Sequence, residues 1–156
     1  MTALPVAIEL DGALGDTRAL WRDWVLVAGP LLGFDPSQLP EDRVEAAAEL
    51  DRRGAGNWRT LLERFGEERA AVYLRRDPAV SAALRVLASS GRAIGVFTDA
   101  PEPLARVALA QLGAERRIAA LETGSGALDR LLRRLGADAI VVCSATELRA
   151  AADDPG

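Results

Sequence analysis

The stretch Leu4-Pro5-Val6-Ala7-Ile8-Glu9-Leu10-Asp11-Gly12-Ala13-Leu14 decides how the chain folds. It opens as a short apolar run carrying Val6 and Ile8 and stops at Asp11-Gly12, so it reads as a buried strand closing in a turn. Such a strand delivers Glu9 and Asp11 to its carboxyl end. From Thr17 the pattern turns helical: Leu20, Trp21, Trp24, Val25 and Val27 form one apolar stripe, with Asp16 or Thr17 available as cap.

Further along, Pro40-Glu41-Asp42 starts a helix over about 41–53, which Arg52-Arg53 and Gly54 end. Asn57 can cap a third helix running to Gly66, a further helical stretch covers about 67–75, and Pro78 opens one that ends near Gly91. The character then changes. Ala93-Ile94-Gly95-Val96-Phe97 is a buried strand, followed by Thr98, Asp99 and two prolines, and a helix over about 102–112 stops at Gly113. Arg117–Glu122 is a weaker strand, Thr123–Gly126 a loop, Ala127–Leu135 a helix, Ala139–Cys143 the clearest strand, and Ser144–Ala152 a closing helix.

Strands near 5–10, 93–98, 117–122 and 139–143 alternating with helices predict an α/β fold, a shortened Rossmann-like parallel sheet of about four strands. The first connection is the exception: about 80 residues with several helical patterns exceed what one crossover needs. The expected organisation is a core from 1–14 and 78–156, with 15–77 as a helical insert after the first strand.

Composition narrows the function classes. The chain has 156 residues, 19 basic against 23 acidic, and a formal net charge of -4. All the basic residues are arginine, and their pairs are spread among carboxylates, which argues against a nucleic-acid groove. Without histidine, Ser-His-Asp and Cys-His catalysis and His-ligated metals are excluded. Without lysine, so are Schiff bases and a Walker-type phosphate lysine. No apolar run is long enough to span a bilayer, no basic region precedes a long apolar stretch at the start, and Cys143 has no intramolecular disulfide partner. The expectation is a cytoplasmic protein with no membrane contact, and the arginine, alanine and glycine usage hints at a bacterial source.

Ligands of open parallel sheets sit beyond the carboxyl ends of the strands. The residues there are Glu9 and Asp11, Thr98 and Asp99, Glu122–Gly126, and Cys143–Glu147. In order, spacing and local sequence this set resembles the haloacid dehalogenase-like hydrolase superfamily, mostly magnesium-dependent phosphohydrolases, in its phosphoglycolate-phosphatase-like branch with a helical cap. That family's first strand ends Asp-x-Asp-Gly-Thr-Leu, its second in Ser or Thr, a lysine follows its third, and its fourth ends Gly-Asp-Ser-x-x-Asp. Here the first reads Glu9-Leu10-Asp11-Gly12-Ala13-Leu14, the second Gly95-Val96-Phe97-Thr98-Asp99, and the fourth Val141-Val142-Cys143-Ser144-Ala145-Thr146-Glu147.

The resemblance implies that Glu9 stands at the nucleophile position and Asp11 at that of the general acid and base. It places Thr98, with Asp99, at the phosphate. Mg2+, if any is used, would fall to Glu9, Asp11 and Glu147. The departures fall on the chemistry. Glu9 pushes its carboxylate roughly an ångström beyond an aspartate's, and errors of about 1 Å cost on the order of a hundredfold in rate. Cys143, a soft ligand, replaces a metal-binding aspartate. Ala13 replaces Thr, and the lysine would fall near Glu122 or Thr123 in a chain with none, leaving Arg130 to approach from one turn inside the following helix.

The expected function is therefore a degenerate phosphatase-like protein of little or no turnover, a pseudoenzyme that binds a protein partner or a phosphorylated ligand. The alternative is an active magnesium-dependent phosphomonoester hydrolase with altered geometry. Plainer readings stand beside these. Glu9 suits a strand end facing a helix N-terminus, and Ser144 with Glu147 forms a capping box. Cys143 fits a small buried strand-end residue, Ser125 a helix cap, and Gly124-Ser125-Gly126 an anion cradle. Trp21, Trp24 and Trp58 suit an insert core or a homodimer surface.

Overall fold

The computed structural model describes residues 3–154. Four short strands, β1 (Val6–Glu9), β2 (Ile94–Thr98), β3 (Ala120–Thr123) and β4 (Ile140–Val142), form one sheet in the order β3-β2-β1-β4. Every pairing is parallel, with Ile8 opposite Val96 and Val142, and Thr98 opposite Thr123. The chain is thus an α/β protein whose strand carboxyl ends share one edge.

Among the described residues seven α-helices accompany the sheet: α1 (Arg18–Leu32), α2 (Arg43–Arg52), α3 (Trp58–Tyr73), α4 (Pro78–Ser89), α5 (Glu102–Gln111), α6 (Ala127–Leu135) and α7 (Ala145–Asp153). Strand alternation sorts the packing. Val6, Ile8, Ile94, Val96 and Val142 pack with buried residues of α4, α5 and α7, while Ala7, Phe97 and Ala120 meet Ala127 and Leu131 of α6 on the other face. Helices on both faces explain why β1 and β2 read as near-continuous apolar runs.

The helical segment α1–α3 builds its own cluster around Trp21, Trp24 and Trp58. Ring centroids are 5.2 Å apart for the first pair and 6.0 Å for Trp24 and Trp58. Ala100 and Leu104, from the loop after β2 and from α5, belong to this cluster, and Ala70 and Leu74 from the end of α3 belong to the sheet's. Packing therefore runs across the junction. All three indoles are buried, in keeping with their reading as insert core rather than as a surface.

Several boundaries differ from the sequence reading. α3 runs unbroken through Gly66, whose missing side chain lets α5 approach: a Cβ there would lie 3.2 Å from Val107 Cγ1. Glu115–Arg117 is a 3₁₀ turn, so β3 begins at Ala120 rather than Arg117. Val27 is half exposed, because the buried face of α1 continues through Ala28 and Gly29 instead. Asn57 accepts from the Thr60 hydroxyl and makes no side-chain bond to a backbone N–H of the first turn. Among the described residues, no helix is long and apolar enough to cross a membrane.

Candidate active-site cleft

After Glu9 the backbone leaves β1 in one wide turn over Leu10–Leu14, closed by the Gly15 N–H donating to the Leu10 carbonyl at 3.1 Å. Gly12 is required here. Its φ is 97°, in the region side chains avoid, and a Cβ would lie 2.9 Å from the Cys143 carbonyl oxygen. The turn buries Asp11 beside the end of β1 and brings β4's exit against it.

A cleft of about 440 Å³ opens at this edge. Glu9, Asp11, Thr98 and Asp99 line it, so four of the residues expected at the site do come together. Gly124 and Gly126–Asp129, at the start of α6, form another wall, and Arg18 and Arg43 enter from the helical segment. Cys143 and Glu147 lie outside the lining, on the β4 side of β1, although both are close enough to interact electrostatically with Glu9.

Asp11 is fully engaged. Its Oδ1 accepts from the Thr17 N–H at 2.7 Å and the Thr17 hydroxyl at 2.8 Å. Its Oδ2 accepts from Arg43 Nη2, which also donates to Asp99 Oδ1 at 2.6 Å, while Arg43 Nη1 donates to Thr17 Oγ1 at 2.6 Å. Arg43, Thr17 and Asp11 are all buried. Of the two suggested caps for α1, Thr17 holds the N-cap position but turns its side chain inward, and the Asp16 carboxylate accepts from the Arg18 N–H.

Arg43 is the cleft residue the sequence reading missed. Asp42 caps α2 by accepting from the Glu45 N–H at 3.0 Å, and this puts Arg43 in the helix's first turn. A cation there opposes the helix dipole, as does Arg18 at the start of α1, and that mismatch was the available signal. Arg18 is held by a two-pronged pair with Asp16, at 2.9 and 2.8 Å, which lowers the Asp16 pKa.

Burial pushes the Glu9 carboxyl above its ordinary value, and Asp11, Asp99 and Glu147 push the same way against Arg18. Thr98 is buried, and its Oγ1 accepts from the Ala100 N–H at 3.1 Å, leaving its O–H to donate. The expected Ser125 cap is not made: the residue that caps α6 is Gly126, in a left-handed conformation, without a side-chain bond. Arg130 is not part of the cleft lining; it donates to the Thr123 carbonyl at 2.5 Å and to that of Ser125, with Glu122 at 3.5 Å.

Cys143 is exposed rather than buried, because β4 is an edge strand that ends at Val142. Partial desolvation raises its thiol pKa, and Glu9 and Glu147 raise it further. Ser144 and Glu147 do form a capping pair: Ser144 Oγ accepts from the Glu147 N–H at 3.1 Å, and Glu147 Oε2 from the Cys143 N–H at 3.3 Å.

These residues do not fit Mg2+. The ion needs hard oxygens at about 2.0–2.1 Å in near-octahedral array. Both Asp11 oxygens face donors instead, Cys143 offers a soft sulfur whose pKa is pushed up, and among the described residues no three Asp, Glu, Cys or His side chains are grouped to hold a metal.

No protein-family profile matches the sequence, and no curated protein matches it. Solved structures do match. CbbY of Rhodobacter sphaeroides, in complex with phosphate, aligns at TM-score 0.63 with 20% identity, over 94% of this chain and 80% of that one. A protein of Thermotoga maritima assigned as a beta-phosphoglucomutase aligns at 0.56 and 18%, over 96% and 82%. A HAD phosphatase of Thermococcus onnurineus aligns at 0.53 and 18%, over 90% and 77%. With its parallel sheet, its helices between β1 and β2 and its acidic cleft at the strand ends, the chain has the fold of the haloacid dehalogenase-like hydrolases.

Proposed function

We propose that this chain is a phosphatase-fold protein without appreciable turnover, which uses the cleft to bind a phosphorylated ligand or a protein partner. The observation that carries this reading is the state of Asp11. A general acid and base must exchange a proton with the leaving group, and every oxygen of this carboxylate is turned to Thr17 or Arg43. Glu9 compounds the loss, being one methylene too long and raised in pKa by burial and then by its acidic neighbours.

Binding without turnover draws on groups that remain free. The Thr98 O–H can donate to a phosphate oxygen, and the first turn of α6, uncapped by any side chain, belongs to the wall of the same cleft, where a helix start favours an anion. The rival reading, an active phosphomonoesterase, draws on Glu9, Asp11 and Thr98 sharing one cleft.

Hydrolysis of a generic aryl phosphate by the purified chain, with and without Mg2+, separates the two. The expected result is no turnover above the rate without protein. Metal-dependent turnover that Asp11→Asn abolishes overturns the proposal.

A further inference from the structure

We infer that Arg43 is the resident cation of the cleft, a guanidinium that holds by charge and hydrogen bonding the place a divalent ion would need at Asp11. The inference rests on the reading of the cleft as a site without metal-dependent turnover, and it adds what took the metal's place and from where.

Four carboxylates line the cleft, those of Glu9, Asp11, Asp99 and Asp129, against two guanidinium groups. Arg18 is already matched by Asp16 outside the lining. Arg43 is thus the charge that compensates Asp11, which is buried and costly to leave unpaired. Its planar fork meets three acceptors at once, on Asp11, Asp99 and Thr17, and Thr17 in turn donates to Asp11, so the network closes on itself. A guanidinium is permanently charged and cannot be chelated away.

Occupancy by Arg43 and by a metal exclude one another. An ion ligated by Asp11 Oδ2 would compete with the Arg43 donor, and a guanidinium displaced by it would stay buried beside a second positive charge. The cation also comes from α2, 32 residues from Asp11 and 56 from Asp99 in sequence, so it ties the helical segment to the ends of β1 and β2.

The test follows the amide resonances of Asp11, Gly12 and Asp99 while Mn2+ is added to the full chain and to Arg43→Gln. Wild-type amides are expected to show no selective broadening at millimolar Mn2+, and Arg43→Gln to gain it with an affinity at least about tenfold higher, since one opposing charge is gone. Selective broadening in the wild type, or none in a folded Arg43→Gln, overturns the inference. Should that variant fail to fold, the wild-type guanidinium decides. Resolved, slowly exchanging Nη protons of Arg43 support the inference, and averaged, rapidly exchanging ones refute it. Turnover of aryl phosphate without metal would end the preceding reading and leave this one standing. Mn2+ bound at wild-type Asp11 would end this one and leave the absence of turnover untouched.

Discussion

Replacing Trp58 by alanine tests whether α1–α3 and the sheet form one cooperative unit. Trp58 is 1% exposed, lies 6.0 Å from the Trp24 ring, donates from Nε1 to Asp51 Oδ1 at 2.9 Å, and carries the Arg59 guanidinium 4.3 Å above its face. Truncating a buried tryptophan costs about 3–5 kcal/mol, and the lost aromatic pair and hydrogen bond place this site near the upper end. In a chain of this size each kcal/mol lowers Tm by about 2–4 °C, so the expected drop is about 10–15 °C.

Asp51 adds a condition to the assay. Its hydrogen bonds from Arg59 and then Trp58 hold its carboxyl down, at about 2 instead of 3.8. The stability this pairing contributes is full above the ordinary value and fades as pH falls toward the lowered one, so the comparison belongs at neutral pH. Thermal melts followed by far-ultraviolet circular dichroism, which sees sheet and helices together, should show one transition shifted as a whole. A drop under about 5 °C contradicts the packing argument. A biphasic melt, with the sheet's transition unmoved, contradicts the packing of Ala100 and Leu104 into the tryptophan cluster.

Glu9→Gln should raise Tm at pH 7, because the folded state raises the Glu9 pKa and the ionised form therefore costs stability. The gain should shrink as pH falls and vanish below the ordinary value of 4.5, where the carboxyl is protonated folded and unfolded alike; an unchanged Tm at pH 7 counts against burial and crowding of charge at Glu9. Gly12→Ala should cost about 2 kcal/mol or more, from a side chain at φ 97° and a Cβ 2.9 Å from the Cys143 carbonyl oxygen; denaturant titration showing a loss under about 1 kcal/mol would mean that the turn relaxes.

The α/β frame was legible in the sequence because it is written in short-range pattern. Val6 and Ile8 before Asp11-Gly12, the apolar run into Thr98, and Ala127–Leu135 between two glycines each declare an element within a few residues. Asp11 and Thr98 were found the same way, by their place at strand ends. Arg43 was not, since its meaning lies in carboxylates far along the chain, and periodicity carries no record of such a pairing. Gly66 misled for a related reason: a glycine reads locally as a helix stop, whereas here it makes room for Val107 of a neighbouring helix. Cys143 followed an apolar run and looked interior, but the strand it follows has a partner on only one side.

That one-sidedness bears on how the molecule meets copies of itself. Strands at a sheet's margin offer unpaired backbone donors and acceptors on which another chain can align and start a fibril. The two marginal strands here, β3 and β4, are four and three residues long. Three or four residues of ladder give an incoming strand too few hydrogen bonds to offset the entropy of ordering it, so brevity itself guards this sheet against aggregation.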